Sequence, residues 1–308
     1  MSNDREKILS NYQNIFEEYF NYLQFERNSS DNTSESYLRD LKKLPEFLDL
    51  TNSLVNYEGI TQEILSSFVE YIALIGLSDK SQARLISSLK SFFHFLLIND
   101  YISENPSKYI ETPRLSKKIP VILSVEEISK IINCIEAGTE FGHRNRAIIE
   151  ILYGCGLRVS ELSNLKISDI YFDEELLRVI GKGNKQRLVP LGSKANQEIK
   201  YYFESYRNFL KIAKGHEDIL ILNRRGKQMS RIQIFNIVKE ACSKAGIEKN
   251  ISPHSFRHSF ATHLIEGGAD IRVVQEMLGH ESITTTEIYT HIDREYLREN
   301  IINYHPRS

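Results

Sequence analysis

No stretch of this chain holds the roughly 20 consecutive apolar residues of a helical membrane span, so a membrane protein of that kind is not expected. Cysteine is scarce. Cys134, Cys155 and Cys242 are odd in number, far apart and set in apolar surroundings, which speaks for reduced packing residues and against a disulfide framework. The start, MSNDREKILSNYQ, lacks the apolar core of a signal peptide, so a cytoplasmic protein is expected. There is no large charge of one sign. The net charge is −2, so any surface that binds phosphate must be local. Residues 1–110 hold 10 Lys+Arg against 16 Asp+Glu, a balance of −6, and the remainder holds 29 against 25, or +4. HExxH, CxxC and clustered aspartates are missing, as is the GxxxxGKS/T loop, so neither a metal nor a nucleotide cofactor is expected.

What is there is ordinary for a globular protein: 41% hydrophobic and 26% charged residues over 308 positions, enough for two domains with a core each. Residues 1–110 carry helical periodicity almost throughout. One helix is expected over about 8–26. A second begins near Asn32, with Glu35 as capping partner, and runs to Leu48. A third starts near Thr61 and a fourth at Asp79, with Gln82 three residues on. Lys80, Arg84 and Lys90 lie along the last and could form a basic face. Residues 111–120, with Pro113, Arg114, Lys117, Lys118 and Pro120, lose the apolar period and predict a linker.

Residues 121–308 form a second region. Ser124 and Glu127 have capping-box spacing, and a helix from Arg144 ends at Gly154-Cys155-Gly156. In GLRVSELSNLK, Arg158 stands at a helix start and Glu161 one turn on, where a helix N-terminus already favours phosphate. Leu176–Ile180 and Arg187–Leu191 read as two strands, joined by Gly181-Lys182-Gly183-Asn184-Lys185, a hairpin composition. Helices follow over about 194–213 and 231–245, with the basic turn Arg224-Arg225-Gly226 between them. Ser252-Pro253 then caps a helix that shows His254 and Arg257 on one face and stops at Gly267-Gly268. Asp270 caps another that ends at Gly279, just before His280. A segment opened by Ser282 carries Tyr289, and Leu297, Ile301 and Ile302 mark an amphipathic terminal helix that either folds back or docks on a partner.

Arg158, Lys182, His254, Arg257, His280 and Tyr289 make a set rich in cations and proton donors, without a carboxylate pair for glycoside hydrolysis. Such a set suits an anion that gains charge during reaction, such as a phosphodiester under attack. Arginines neutralise the non-bridging oxygens, and a lysine or histidine protonates the leaving oxygen. A tyrosine, with a pKa of about 10, becomes a nucleophile only beside positive charge or a base. Each residue alone has a duller reading: a helix-start arginine, a solvated turn lysine, a buried ring. His258 and His263 fit packing or hydrogen bonding better than catalysis.

Taken together, GLRVSELSNLK, GKGNKQRLVPL, HSFRHSFATHL, LGH and TTTEIYTH resemble, in order and spacing, the signature boxes of the tyrosine recombinases, and most of all the Xer group of bacterial chromosome-resolving recombinases. The resemblance covers most of residues 115–293. It implies a mainly α fold: a helical core-binding domain that contacts DNA (1–110), a linker (111–120), and a mostly helical catalytic domain with a small antiparallel sheet and a tail helix (121–308). It further implies that Arg158 and Arg257 bind the scissile phosphate and that Lys182 is the general acid for the 5′ oxygen. His254 would assist the tyrosine proton, His280 would bond a non-bridging oxygen, and Tyr289 would attack, with Glu161 bracing the site. Four protomers would assemble on two duplex sites, alone or with a sister recombinase, and the tail would dock on a neighbour. The resemblance also implies a cell-division DNA translocase as activator. Lys80, Arg84, Lys90, Arg114, Lys117, Lys118, Lys185, Arg187, Arg224 and Arg225 are the expected DNA-backbone contacts. Chromosome dimer resolution and mobile-element integration or excision share these residues. A relaxing topoisomerase of similar chemistry and a DNA-binding accessory protein that never cleaves remain alternatives.

Overall fold

The computed structural model describes residues 2–27, 29–113, 120–181, 185–279 and 294–307. The chain divides into two compact units, Met1–Lys118 and Ile119–Ser308. Among the described residues no helix is long and apolar enough to cross a membrane.

The first unit is helical. α1 (Ser2–Asn21) continues into one π-helical turn, Tyr22–Glu26, followed by α2 (Asp31–Leu41), α3 (Lys43–Leu50), α4 (Gln62–Leu74) and α5 (Asp79–Ile98). The single helix expected from Asn32 to Leu48 is two. Pro45 has no N–H to donate to the Leu41 carbonyl, so the ladder parts at Lys42. The caps also sit one or two residues earlier than expected. Ser30 precedes α2, and the Ser78 side chain accepts from the Ser81 N–H. Thr61 caps α4, at the expected helix start. The helices close over an aromatic core in which the Phe92 ring lies 5.4 Å from Phe16, 5.3 Å from Tyr19 and 5.4 Å from Phe93. On the α2–α5 side, buried Asp40 accepts from Arg84 Nε at 2.8 Å and Nη2 at 3.1 Å, and from Lys43 Nζ at 3.0 Å. Arg84, expected on a DNA-facing surface, is thus engaged with a buried carboxylate, which a buried charge requires.

The second unit packs α6 (Val125–Asn133), α8 (Val159–Asn164), α9 (Ser193–Ser205) and α10 (Arg231–Lys244) around α7 (Gly142–Gly154), which is buried from Ala147 to Gly154. Ser124 and Glu127 form the expected capping box of α6. α9 stops short of the expected residue 213. After Ser205 the chain turns so that buried Arg207 donates to the Glu217 and Ile219 carbonyls at 2.7 and 2.8 Å. The sheet has the order β1–β2–β3, all antiparallel: β1 (Ile170–Tyr171), β2 (Leu176–Ile180) and β3 (Gln186–Pro190), with Val179 opposite Arg187. The short β1 was not expected. α11 (Pro253–Gly267) and α12 (Ile271–Leu278) follow their predicted caps, Ser252 and Asp270, and both end in left-handed glycines, Gly268 and Gly279.

The tail helix, for which the sequence leaves folding back or docking on a partner open, folds back on its own unit in the single chain. α13 (Arg294–Tyr304) buries Leu297 and Ile301, and the Tyr304 backbone crosses Gly267 so closely that a Cβ there would lie 2.6 Å from its carbonyl oxygen. Arg307 forks onto Glu150, which is 2% exposed. His305 lies between Tyr153 and Phe260, and Tyr153 in turn bonds His263 Nδ1 at 2.7 Å. Burial, aided by His263 and Arg307, pushes the His305 pKa down to about 3. The unfolded chain therefore binds this proton more readily, and the stabilisation present above pH ~6.5 is lost as pH falls toward the folded value. Hydrogen exchange of the α13 amides should accelerate, relative to α7, between pH 6.5 and 4. The replacement His305→Phe should flatten that dependence. An unchanged profile in the variant would refute this origin.

Candidate active site

Three elements of the second unit meet at Glu161. The turn from α7 to α8 passes through Gly156 at φ +59°, where a Cβ would stand 2.4 Å from the Phe260 ring, so the turn lies directly on α11. Arg158 then takes the N-cap of α8, and Glu161, 6% exposed, reaches back to it. Glu161 Oε2 accepts from the Arg158 N–H at 2.8 Å and Oε1 from Arg158 Nη1 at 2.8 Å. From β3, Arg187 forks onto the same carboxylate, Nη1 to Oε1 and Nη2 to Oε2, both at 2.9 Å. Arg257 Nη1 stands 3.8 Å from Oε2. Burial raises the Glu161 pKa, but the Arg187 and Arg158 hydrogen bonds outweigh it and hold the group below the usual carboxylate range. It is therefore an anion at neutral pH.

The last turn of α12 supplies the other acceptors. The Met277 carbonyl accepts from Arg187 Nε at 2.7 Å, Leu278 from Arg257 Nη2, and Gly279 from Arg158 Nη2 at 3.4 Å. These carbonyls have no partner within the helix and carry its negative dipole end, so three guanidinium groups are a fitting cap. Arg257 also donates from Nη1 to the Gly156 carbonyl at 2.7 Å. Its side chain is 5% exposed, against 42% for Arg158. Burial and then the neighbouring Arg158 charge push the Arg257 pKa down to about 10, which leaves it charged at neutral pH. Three cations against one carboxylate leave a local surplus of two positive charges. That matches a phosphodiester, singly negative at rest and doubly negative when five-coordinate.

His254 stands exposed one turn before Arg257, its ring 4.3 Å from that of His258. The hairpin turn begins with Gly181 N–H donating to the Lys185 carbonyl at 2.8 Å, and Lys185 is exposed. Lys182, His280 and Tyr289 lie outside the described residues, as do Arg114, Lys117 and Lys118. Among the remaining basic candidates, Lys80, Arg224 and Arg225 are exposed and Lys90 is half-buried. The Arg224 guanidinium covers the Phe141 ring at 4.9 Å. Arg187 differs from expectation. It is turned inward, 10% exposed, with its donors spent on Glu161 and Met277, so it does not present itself to a DNA backbone. In the sequence Gly156 signals only a helix stop; the close Phe260 contact, and so the joining of the two arginine-bearing elements, has no local signal.

An alanine at 156 would combine a positive φ with overlap against Phe260. Gly156→Ala should destabilise this unit by about 2–5 kcal/mol, the sum of left-handed strain and overpacking. Urea unfolding would measure it. A loss below about 1 kcal/mol would mean that the turn is free to shift away from α11.

The model of the phage integrase family matches residues 122–295, and that of the phage integrase N-terminal SAM-like domain matches residues 16–99. The tyrosine recombinase XerD of Staphylococcus epidermidis is 40% identical over 294 residues, covering 96% of this chain and 99% of the relative. That of Chlorobaculum tepidum is 43% identical over 300 residues, covering 96% and 98%. Among solved structures, the XerH site-specific recombinase bound to a palindromic difH substrate is 27% identical, covers 89% of this chain and 80% of its own, and superposes with a TM-score of 0.69. The Tn1549 transposon integrase in complex with circular intermediate DNA shares the fold, at 21% identity and a TM-score of 0.70 over 93% of this chain and 98% of its own. An arginine cluster suited to a phosphodiester, the order of the sequence boxes and these end-to-end similarities agree: the chain belongs to the phage integrase family, the tyrosine recombinases.

Proposed function

We propose that the protein cuts and rejoins duplex DNA at a specific site through a 3′-phosphotyrosyl intermediate. The observation that carries this is the arginine cluster at Glu161, whose surplus charge fits the phosphodiester in its transition state. Arg158, the more exposed of the pair, and Arg257 bind the non-bridging oxygens of the scissile phosphate. The Tyr289 oxygen attacks phosphorus and gives up its proton with help from His254. Lys182 delivers a proton to the departing 5′ oxygen, and His280 bonds a non-bridging oxygen. One P–O bond forms as another breaks, leaving a free 5′ hydroxyl. Attack by a second 5′ hydroxyl reverses the step on a new strand. The bond energy stays in the phosphotyrosine, so the chemistry asks for neither ATP nor a metal ion.

The biological setting follows from the kind of relative. Similarity over nearly the whole length to proteins named tyrosine recombinase XerD favours chromosome dimer resolution through a Holliday junction over mobile-element integration or excision. The partner would be a double-stranded recombination site, as for the DNA-bound XerH recombinase. Four protomers would meet on two such sites, alone or with a sister recombinase, and a cell-division translocase would be the activator. Residues 1–110 would grip DNA as the core-binding domain and 121–308 would catalyse. Lys80, Lys90, Lys185, Arg224, Arg225 and the linker residues Arg114, Lys117 and Lys118 would touch the backbone.

Covalent trapping tests the reading. Nicked chromosomal fragments from the host, which cannot religate, would be incubated with wild type and Tyr289→Phe in a chelator and run on a denaturing gel. The wild type alone should give a shifted protein–DNA band, and sequencing its DNA yields the site. A site-specific gel shift from both proteins without any covalent band would contradict cleavage and favour an accessory DNA-binding protein.

A further inference from the structure

Arg187 is the one expected DNA contact in the second unit that the structure draws into the site, and its surroundings say why. Its fork holds both oxygens of Glu161 at 2.9 Å while Nε donates to the Met277 carbonyl at 2.7 Å. The same guanidinium lies against two glycines. A Cβ on Gly279 would stand 3.2 Å from Arg187 Cδ and 3.3 Å from Nη1, and one on Gly181 would stand 3.7 Å from Nη1. Gly181 is bonded to Lys182 and Gly279 to His280. Glu161 in turn holds Arg158 and stands 3.8 Å from Arg257.

We infer that Arg187 is a positioning residue for strand cleavage, a single side chain that ties Glu161 and its two arginines to the end of α12, next to His280 in the chain. The inference rests on the proposed roles of those residues. It needs arginine specifically. A planar fork spans two carboxylate oxygens and keeps Nε for a carbonyl at the side, whereas a lysine ammonium is a point charge that serves one of these at a time. A backbone phosphate contact would need an outward guanidinium, and this side chain is 10% exposed. Arg187 does not touch the substrate. It acts through the groups it holds, so its loss should appear in rate rather than in affinity.

The test uses the full chain and a nicked duplex carrying the sequence recovered from the wild-type covalent complex. If wild type forms no such complex, the cleavage reading itself fails, before Arg187 is at issue. Given a cleaving wild type, Arg187→Gln should bind the duplex within about threefold of wild type and lose about 100-fold in single-turnover cleavage at saturating DNA, the order expected of a small misplacement of reacting groups. Arg187→Lys should recover less than about tenfold of that loss. Three results would overturn the inference. One is weaker binding, with a salt dependence reduced by about one phosphate contact and normal cleavage at saturation, which marks a DNA-backbone residue. Another is full rescue by lysine, which would mean that only charge matters. The last is lower thermal stability with wild-type cleavage by the folded protein, a merely structural role. Should Arg187→Gln fail to fold, the same readings on Arg187→Lys decide.

Discussion

The second unit is arranged around a carboxylate that cannot be left alone. Glu161 is 6% exposed, and a buried anion without partners would cost several kcal/mol or take up a proton. Its partners come from three places in the chain: Arg158 from its own helix start, Arg187 from β3 and, further off, Arg257 from α11. The carbonyls at the end of α12 complete the arrangement by accepting from the same three guanidinium groups. Satisfying one buried charge thus brings four elements to a common point.

Chemistry follows from the imbalance. A carboxylate matched one-to-one with an arginine would leave nothing for a substrate. Here the cations outnumber it, and each is already hydrogen-bonded to Glu161 or to backbone carbonyls without a phosphate present, an arrangement suited to preorganised stabilisation of developing charge. The two arginines assigned to the phosphate differ in setting. Arg158 is open to solvent, while Arg257 is buried and anchored to Gly156 and Leu278. The docked tail belongs to the same body: Arg307 neutralises Glu150 on α7, and Tyr304 closes over Gly267 at the end of α11.

Much of this was legible in the chain because the signals are local. Helical periodicity, the Ser124–Glu127 box, the Ser252-Pro253 start and the glycine stops each depend on residues within a turn of one another, and the structure follows them. The misses are also local but subtler. Pro45 splits a helix that apolar spacing alone carries through, and Ser30 and Ser78 compete as caps with Asn32 and Asp79 one or two places away. Arg158 and Arg257 belong to a set that the chemistry of the residue types suggests, whereas the bracing role of Glu161 comes only from the family resemblance. Arg187 looked like one more basic residue of a hairpin. What turns it inward is Glu161, 26 residues before it, and the Met277 carbonyl, 90 after it. No pattern along one sequence encodes such a meeting. The same holds for the tail, whose apolar stripe fits any surface, its own unit included.

The central claim is that Glu161 and Arg187 act as one device to place the phosphate-binding arginines. A double-mutant cycle on single-turnover DNA cleavage tests it most directly, with Glu161→Gln and Arg187→Gln alone and together. The account predicts strong non-additivity, the double variant cleaving about as slowly as either single one, with a coupling of about 1–3 kcal/mol. Additive losses would show that the two residues serve separate ends and would contradict the account.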